Sequence, residues 1–90
     1  LDAMVRALAL EIGRDGIRIS NVSPGVIDTP LTNVLPPEAI TALGAHSALG
    51  RIGQPDDIAG AVTWLSSPEA ASVTGQSILV DGGYNIGGMR

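Results

Sequence analysis

Asn21-Val22-Ser23-Pro24-Gly25-Val26-Ile27-Asp28-Thr29-Pro30 reads as an apolar strand that runs into a Pro-Gly turn and then into a short segment ending in threonine. Pro24 has no N–H to give to a ladder, and Gly25 accepts dihedrals that other residues resist. The strand must therefore stop here, and the backbone can pass close to a ligand. In an open α/β sheet the carboxyl end of a strand is where ligands sit. On this stretch alone a plain strand-to-loop exit explains the same residues.

Upstream, Leu1, Met4, Val5, Leu8 and Ile12 recur at helical spacing and predict an amphipathic helix, with Asp2 four residues before Arg6 as a supporting pair. Gly13 and the Arg14-Asp15-Gly16 turn stop it. Ile17 to Val22 is rich in β-branched residues and predicts a strand. A helix, a tight turn and a strand make half of a parallel-sheet unit.

Downstream, Thr29 to Leu35 shows no clear period. Pro36-Pro37-Glu38 predicts a short helix through Leu43, since proline suits a first helical turn. Gly44 to Gly53 reads as a mobile loop. Pro55-Asp56-Asp57 starts a second strong helix, with two carboxylates complementing the helix dipole and Ile58, Ala61, Val62 and Leu65 on one face. It ends near Ser66-Ser67-Pro68. A brief helical turn over Pro68 to Ser72 and a short buried strand from Gln76 to Val80 follow, closed by Asp81-Gly82-Gly83.

Ninety residues bound the chain to one domain at most. A chain of this length buries only roughly 60 to 65% of its unfolded surface. The hydrophobic content of 44%, with Trp64 and Tyr84 as the two aromatic residues, suits a slice of a larger α/β core better than a complete small domain. A net charge of −4, with five Arg and no Lys, argues against nucleic-acid and anionic-membrane partners. The absence of cysteine excludes a disulfide framework, a thiolate nucleophile and a Cys-based metal site, and permits a cytoplasmic setting. No apolar run approaches the ~20 residues that span a bilayer.

Two further stretches complete the pattern. They are Gly50-Arg51-Ile52-Gly53-Gln54-Pro55-Asp56-Asp57-Ile58-Ala59 and Thr74-Gly75-Gln76-Ser77-Ile78-Leu79-Val80-Asp81-Gly82-Gly83. In this order and spacing, the three stretches resemble the C-terminal portion of a classical short-chain dehydrogenase/reductase, an NAD(P)-dependent oxidoreductase. The likeness covers nearly all of the chain and is loose from Pro36 to Leu49. It implies an α/β fold, the C-terminal part of a Rossmann-like doubly wound parallel sheet. Residues 1–90 would be the C-terminal segment of one such domain, its nucleotide-binding half absent. The start at Leu1, inside a helical pattern without a capping residue, is expected to be a cut.

The resemblance also implies site residues. The segment matching Pro24, Gly25, Ile27 and Thr29 passes beside the nicotinamide half of NAD or NADP. The Ile27 backbone would contact the carboxamide, and the Thr29 hydroxyl the carboxamide or a phosphate oxygen. A neutral amide is well held by a main-chain donor and acceptor plus a hydroxyl. The alternative is that Ile27 packs and Thr29 forms a local turn. Beyond Thr29, the family's substrate-covering region would place Leu31, Leu35, Ile40 and Leu43 along an apolar pocket, although such spacing also packs a short helix. The turn at Asp81-Gly82-Gly83 lies near a subunit contact in the family, which implies a homo-oligomer.

What the family needs for catalysis is not encoded here. Its tyrosine acid/base is followed four residues later by a lysine, whereas Tyr84, the single tyrosine, has Gly88 at that spacing and the chain holds no lysine. The matching pair would lie just before Leu1, and the glycine-rich phosphate loop is missing too. No catalytic residue is therefore assigned, no cofactor is expected to bind the chain alone, and turnover belongs to the parent protein acting on a small carbonyl or alcohol. The competing reading is a non-catalytic, self-associating module. His46, the single histidine, reads as an exposed loop residue rather than a metal ligand, and no serine sits in a nucleophile elbow.

Overall fold

The computed structural model describes residues 1–87, so Gly88 falls outside the described residues. In chain order it contains α1 (Asp2–Ile12), β1 (Asn21–Pro24), α2 (Pro37–His46), α3 (Pro55–Leu65), β2 (Ser77–Val80) and α4 (Tyr84–Gly87). Single 3-10 turns stand at Gly13–Asp15, Thr32–Val34 and Pro68–Ala70. β1 and β2 pair in parallel with Asn21 opposite Ser77 and Pro24 opposite Val80, the arrangement expected when helices supply the crossover.

Strand β1 begins later than its composition suggests. Two of the three β-branched residues expected in it, Ile17 and Ile19, lie before the ladder, which starts at Asn21 and includes Pro24. A strand needs a partner as well as propensity. The partner chain turns at Gly75, whose φ is +71°, and reaches strand geometry only at Ser77. Before that point the two chains are joined by single bonds: Gly75 N–H to the Ile19 carbonyl at 2.7 Å and Ile19 N–H to Thr74 Oγ1 at 3.0 Å. Pro24 is tolerated because it is the last residue of the strand.

Helix α3 starts as its sequence requires. Pro55 stands in the first turn, and the Asp57 carboxylate accepts the Gln54 N–H at 2.8 Å, closing the helix start. Its C-terminal carbonyls are met by Arg18 from the segment entering β1. The α1 start is tied to both strands through Asp2, whose carboxylate accepts from Ser77 Oγ at 2.7 Å and Asn21 Nδ2 at 3.1 Å. Those bonds outweigh the Asp2–Arg6 attraction expected from spacing, which acts on the same carboxylate.

The helix expected from Pro36 forms, and the stretch from Gly44 to Gly53 is more ordered than a mobile loop. α2 extends through Gly44 to His46, so His46 is an exposed residue of the last helical turn, with its ring 6.0 Å from that of Tyr84. Ser47, which is buried, accepts the Arg51 N–H at 3.1 Å and lies within donating distance of the Gly44 and Arg51 carbonyls. The Leu49 N–H donates to Gly82 at 3.0 Å. These bonds hold the loop against the Asp81-Gly82-Gly83 turn, where Gly82 and Gly83 adopt positive φ.

The interior is small. Among the described residues Val5 and Ala70 are the buried apolar side chains, and Leu1, Leu10, Leu31, Val34 and Ile86 are more than three-quarters exposed. The accessible surface is 6153 Å², against about 4,900 Å² for a compact monomer of this mass. The radius of gyration is 15.5 Å, against about 12 Å for a compact chain of this length. No described helix is long and apolar enough to cross a membrane.

Candidate functional site

The segment from Pro24 to Thr29 leaves the carboxyl end of β1 and runs beside the loop that precedes α3. Two bonds of 2.8 Å fix it: Gly53 N–H donates to the Val26 carbonyl, and Asp28 N–H donates to the Gly53 carbonyl. Ile27 thus stands opposite Gly53 in a parallel bridge. Because peptide groups in an extended chain alternate in direction, the N–H and C=O of Ile27 itself turn to the side away from Gly53. Its N–H meets no acceptor among the described residues, and its C=O accepts from the Thr32 hydroxyl. Gly53 is glycine for a packing reason: a Cβ there would lie 2.6 Å from Ile27 Cδ1.

Gly25 does not use the dihedral freedom expected of it. Its φ is not positive, and the backbone it approaches is its own chain. A Cβ at Gly25 would stand 2.7 Å from Asp81 Cβ and 3.0 Å from Asp81 Cα. The missing side chain lets the turn after β2 sit against the exit of β1, and the Gly25 N–H donates to the Val80 carbonyl at 3.3 Å. Pro24, exposed at the end of the strand, starts that exit.

Thr29 is half-buried and engaged locally. Its N–H donates to Thr32 Oγ1 at 3.1 Å, the two hydroxyl oxygens are 3.0 Å apart, and the Thr32 N–H lies 3.4 Å from Thr29 Oγ1. The Asn33 N–H closes the turn on the Thr29 carbonyl at 3.0 Å. The turn-forming reading of Thr29 therefore has a structural basis, and it leaves hydroxyl lone pairs available. Thr32 was not picked out by sequence reasoning. The signal that could have found it is two threonines three positions apart just after a Pro-Gly exit.

Beside Gly53 lies a small groove of about 170 Å³ lined by Leu49, Arg51, Gly53, Asp57, Val80 and Gly82. Arg51 Nη1 pairs with Asp57 Oδ2 across it at 3.3 Å. The Gln54 N–H and then the Arg51 guanidinium hold the Asp57 carboxyl below its ordinary value of 3.8. A larger open groove, about 650 Å³, runs along Gly16 to Ser20 against Val62 and Leu65 of α3. It touches none of the four residues assigned to a cofactor. Leu31, Leu35, Ile40 and Leu43 line neither groove, and Leu31 is 83% exposed. Among the described residues no cluster of three or more His, Asp or Glu side chains is placed to hold a metal.

The site thus displays a backbone donor and acceptor from one residue, with a hydroxyl two positions on. That set matches a neutral primary amide, which offers one acceptor oxygen and one donor nitrogen. Phosphate recognition would call for clustered N–H groups at a helix start or for cations, and the Pro24–Thr29 segment supplies neither. The residues present fit the amide end of a nicotinamide cofactor better than its pyrophosphate.

Comparison with known proteins gives a consistent picture. A family model described as enoyl-(acyl carrier protein) reductase matches residues 1–85. The chain is 41% identical over 83 residues to the BbsD subunit of (2S)-[(R)-hydroxy(phenyl)methyl]succinyl-CoA dehydrogenase from Thauera aromatica, covering 92% of this chain and 34% of that protein. It is 42% identical over 78 residues to the 3-oxoacyl-[acyl-carrier-protein] reductase FabG of Vibrio cholerae, covering 87% and 32%. The structure superimposes on 4-hydroxyisoleucine dehydrogenase complexed with NADH at a TM-score of 0.87 and 30% identity, over 94% of this chain and 36% of that one. The chain spans about a third of the length of the curated relatives it matches.

Proposed function

The chain belongs to the short-chain dehydrogenase/reductase family, and from that premise we propose that it supplies the nicotinamide-side wall of an NAD(P)-dependent oxidoreductase. The whole protein would transfer hydride between the nicotinamide and a carbonyl or secondary-alcohol substrate. One observation carries the reading: the bridge to Gly53 turns both peptide groups of Ile27 outward as a donor and acceptor pair. The relatives support it as named reductases and dehydrogenases, and the neighbouring structure as an NADH complex.

In this proposal the Ile27 N–H donates to the amide oxygen of the cofactor. The Ile27 C=O and Thr29 Oγ1 accept from the amide nitrogen. Pro24 ends the strand and Gly25 lets the exit settle against Asp81, which sets where Ile27 stands. The bound cofactor supplies the hydride chemistry. What these residues do is orient the amide, and through it the ring. General acid/base catalysis needs a positioned titrating group at the substrate. The family's tyrosine and lysine pair has no counterpart here, since the chain holds no lysine, and so the chain alone is inactive in this reading.

Titrating the purified chain with reduced nicotinamide cofactor and a panel of ketones tests this. No saturable binding and no steady cofactor oxidation are expected. Full-length protein with a tyrosine and a lysine four residues apart upstream of Leu1 should oxidise the cofactor. Turnover by the chain alone would overturn the assignment.

A second reading, a self-associating module, is favoured by the excess of exposed surface. The apolar sheet face on which Leu79 is 55% exposed is the surface proposed for self-association. A cytoplasmic setting completes the proposal, in keeping with the absence of cysteine.

A further inference from the structure

We propose that Thr32 is a positioning residue that fixes the hydrogen-bonding polarity of Thr29 toward the nicotinamide amide, an inference that rests on the cofactor reading above. A threonine hydroxyl has one hydrogen to donate and two lone pairs. The Thr32 hydroxyl donates its hydrogen to the Ile27 carbonyl. In the 3.0 Å contact between the two hydroxyls, Thr32 therefore has no hydrogen left to give, and Thr29 must be the donor. In its other contact in the turn, Thr29 Oγ1 accepts from the Thr32 N–H at 3.4 Å. The Thr29 N–H, donating to Thr32 Oγ1 at 3.1 Å, closes the ring.

The consequence is directional. With its single hydrogen committed to Thr32, Thr29 Oγ1 can meet a ligand only as an acceptor. The second lone pair of the Ile27 carbonyl is an acceptor as well, while the Ile27 N–H is a donor. The wall then presents one donor and two acceptors in a fixed sense, which admits an amide with its nitrogen toward Thr29 and its oxygen toward the Ile27 N–H. Without the Thr32 hydroxyl, Thr29 is free to turn its hydrogen outward, and the wall loses its preference for an N–H donor.

Cofactor analogues separate this role from a merely structural one. In a 3-acetylpyridine dinucleotide a methyl group replaces the amide nitrogen, so the carbonyl oxygen remains and the N–H donor is gone. Dissociation constants for the natural dinucleotide and its 3-acetylpyridine counterpart would be measured calorimetrically on the full-length oxidoreductase carrying this segment. The variants are Thr32→Val and Thr32→Ser. Thr32→Val should weaken the natural dinucleotide roughly three- to tenfold, the worth of one neutral hydrogen bond. The analogue should bind within twofold of wild type, and Thr32→Ser should restore the natural preference. The ratio of the two affinities within one variant does not depend on how much of it is folded. An equal loss for both ligands, or none for either, would overturn the role of Thr32 while leaving the cofactor reading intact. Wild-type protein that binds neither dinucleotide would overturn both.

Discussion

The Arg18 guanidinium and the Leu65 carbonyl, 47 positions apart, are joined by a hydrogen bond of 2.9 Å. Leu65 ends α3, which has no basic residue in its own last turn, so the negative end of that helix is met by a cation from the segment entering β1. The same nitrogen reaches the Ala70 carbonyl at 2.5 Å, and the second reaches Ser67 at 3.4 Å. One planar fork thus gathers the helix end and the turn after it onto the sheet. Arg18→Ala should cost about 1–2 kcal/mol, the scale of charge-assisted bonds to carbonyls that are partly exposed. Arg18→Lys should recover only part, since a single ammonium cannot span three carbonyls. Urea titration followed by circular dichroism reads both, and equal stability of all three proteins would sink the assignment.

Gly25 and Gly60 should respond oppositely to alanine. A Cβ at Gly25 meets the backbone of Asp81 at 3.0 Å, whereas at Gly60, in the middle of α3, nothing lies within 4 Å. Gly25→Ala forces the β1 exit away from the turn after β2 and should cost about 1–3 kcal/mol. Gly60→Ala removes an entropic penalty inside a helix and should stabilise by about 0.5–1 kcal/mol. Midpoints of denaturant unfolding decide the matter, and a neutral Gly25→Ala would mean that the close approach is not maintained in solution.

The helices at Asp2–Ile12 and Pro55–Leu65 were legible because apolar spacing and a stop signal agreed in each, with first-turn carboxylates adding to the second. The start of β1 was not, because composition reports which residues favour extended chain and says nothing of where the partner becomes straight. Near the candidate site, the Pro-Gly exit and the local turn at Thr29 could be read from local chemistry. The outward turn of Ile27 could not, since it depends on Gly53, which lies 26 positions further on. Thr32 was hidden for a similar reason: its value comes from the proton it gives to Ile27, a fact of geometry rather than of residue type. The order of the Ser47 loop was missed because one buried hydroxyl, bonding Gly44 and Arg51, does what no periodic pattern announces.

Acid should weaken the fold through Asp57 and Asp2. Bonds from the Gln54 N–H and from Arg51 hold Asp57 below 3.8, and those from Ser77 and Asn21 do the same for Asp2. A folded-state value below the unfolded one gives stability that is present above the unfolded value and is lost as pH falls through the folded one. Asp57→Asn and Asp2→Asn should therefore be less stable than wild type at neutral pH, with the gap closing below about pH 4. Both groups are exposed, so added salt should shrink the Asp57 effect through screening of Arg51. Chemical unfolding repeated across the acid range reads the gap, and a difference that persists unchanged at low pH would exclude these carboxylates as its source.

The isolated chain should associate. Its accessible surface of 6153 Å² exceeds that of a compact monomer of the same mass by about 1,200 Å², more than the roughly 800 Å² per partner of a standard protein interface. Much of the excess is apolar, with Ile17 and Val62 exposed beside the open groove, Leu79 on the other strand, and Leu31 and Val34 before α2. A two-stranded parallel sheet with so little interior is a poor independent fold, because parallel sheets are normally covered on both faces. Burying about 800 Å² of such surface in a partner is favourable by tens of cal/mol per Å² before the entropy of association is subtracted. Light scattering should accordingly give a mass above 9.1 kDa that rises with concentration. A discrete oligomer that unfolds in one sharp transition would favour the interaction module, and a polydisperse species without a sharp transition would favour a segment that needs the rest of its sheet. A monomer at every concentration would contradict both, since it would require the exposed leucines and valines to stay in water.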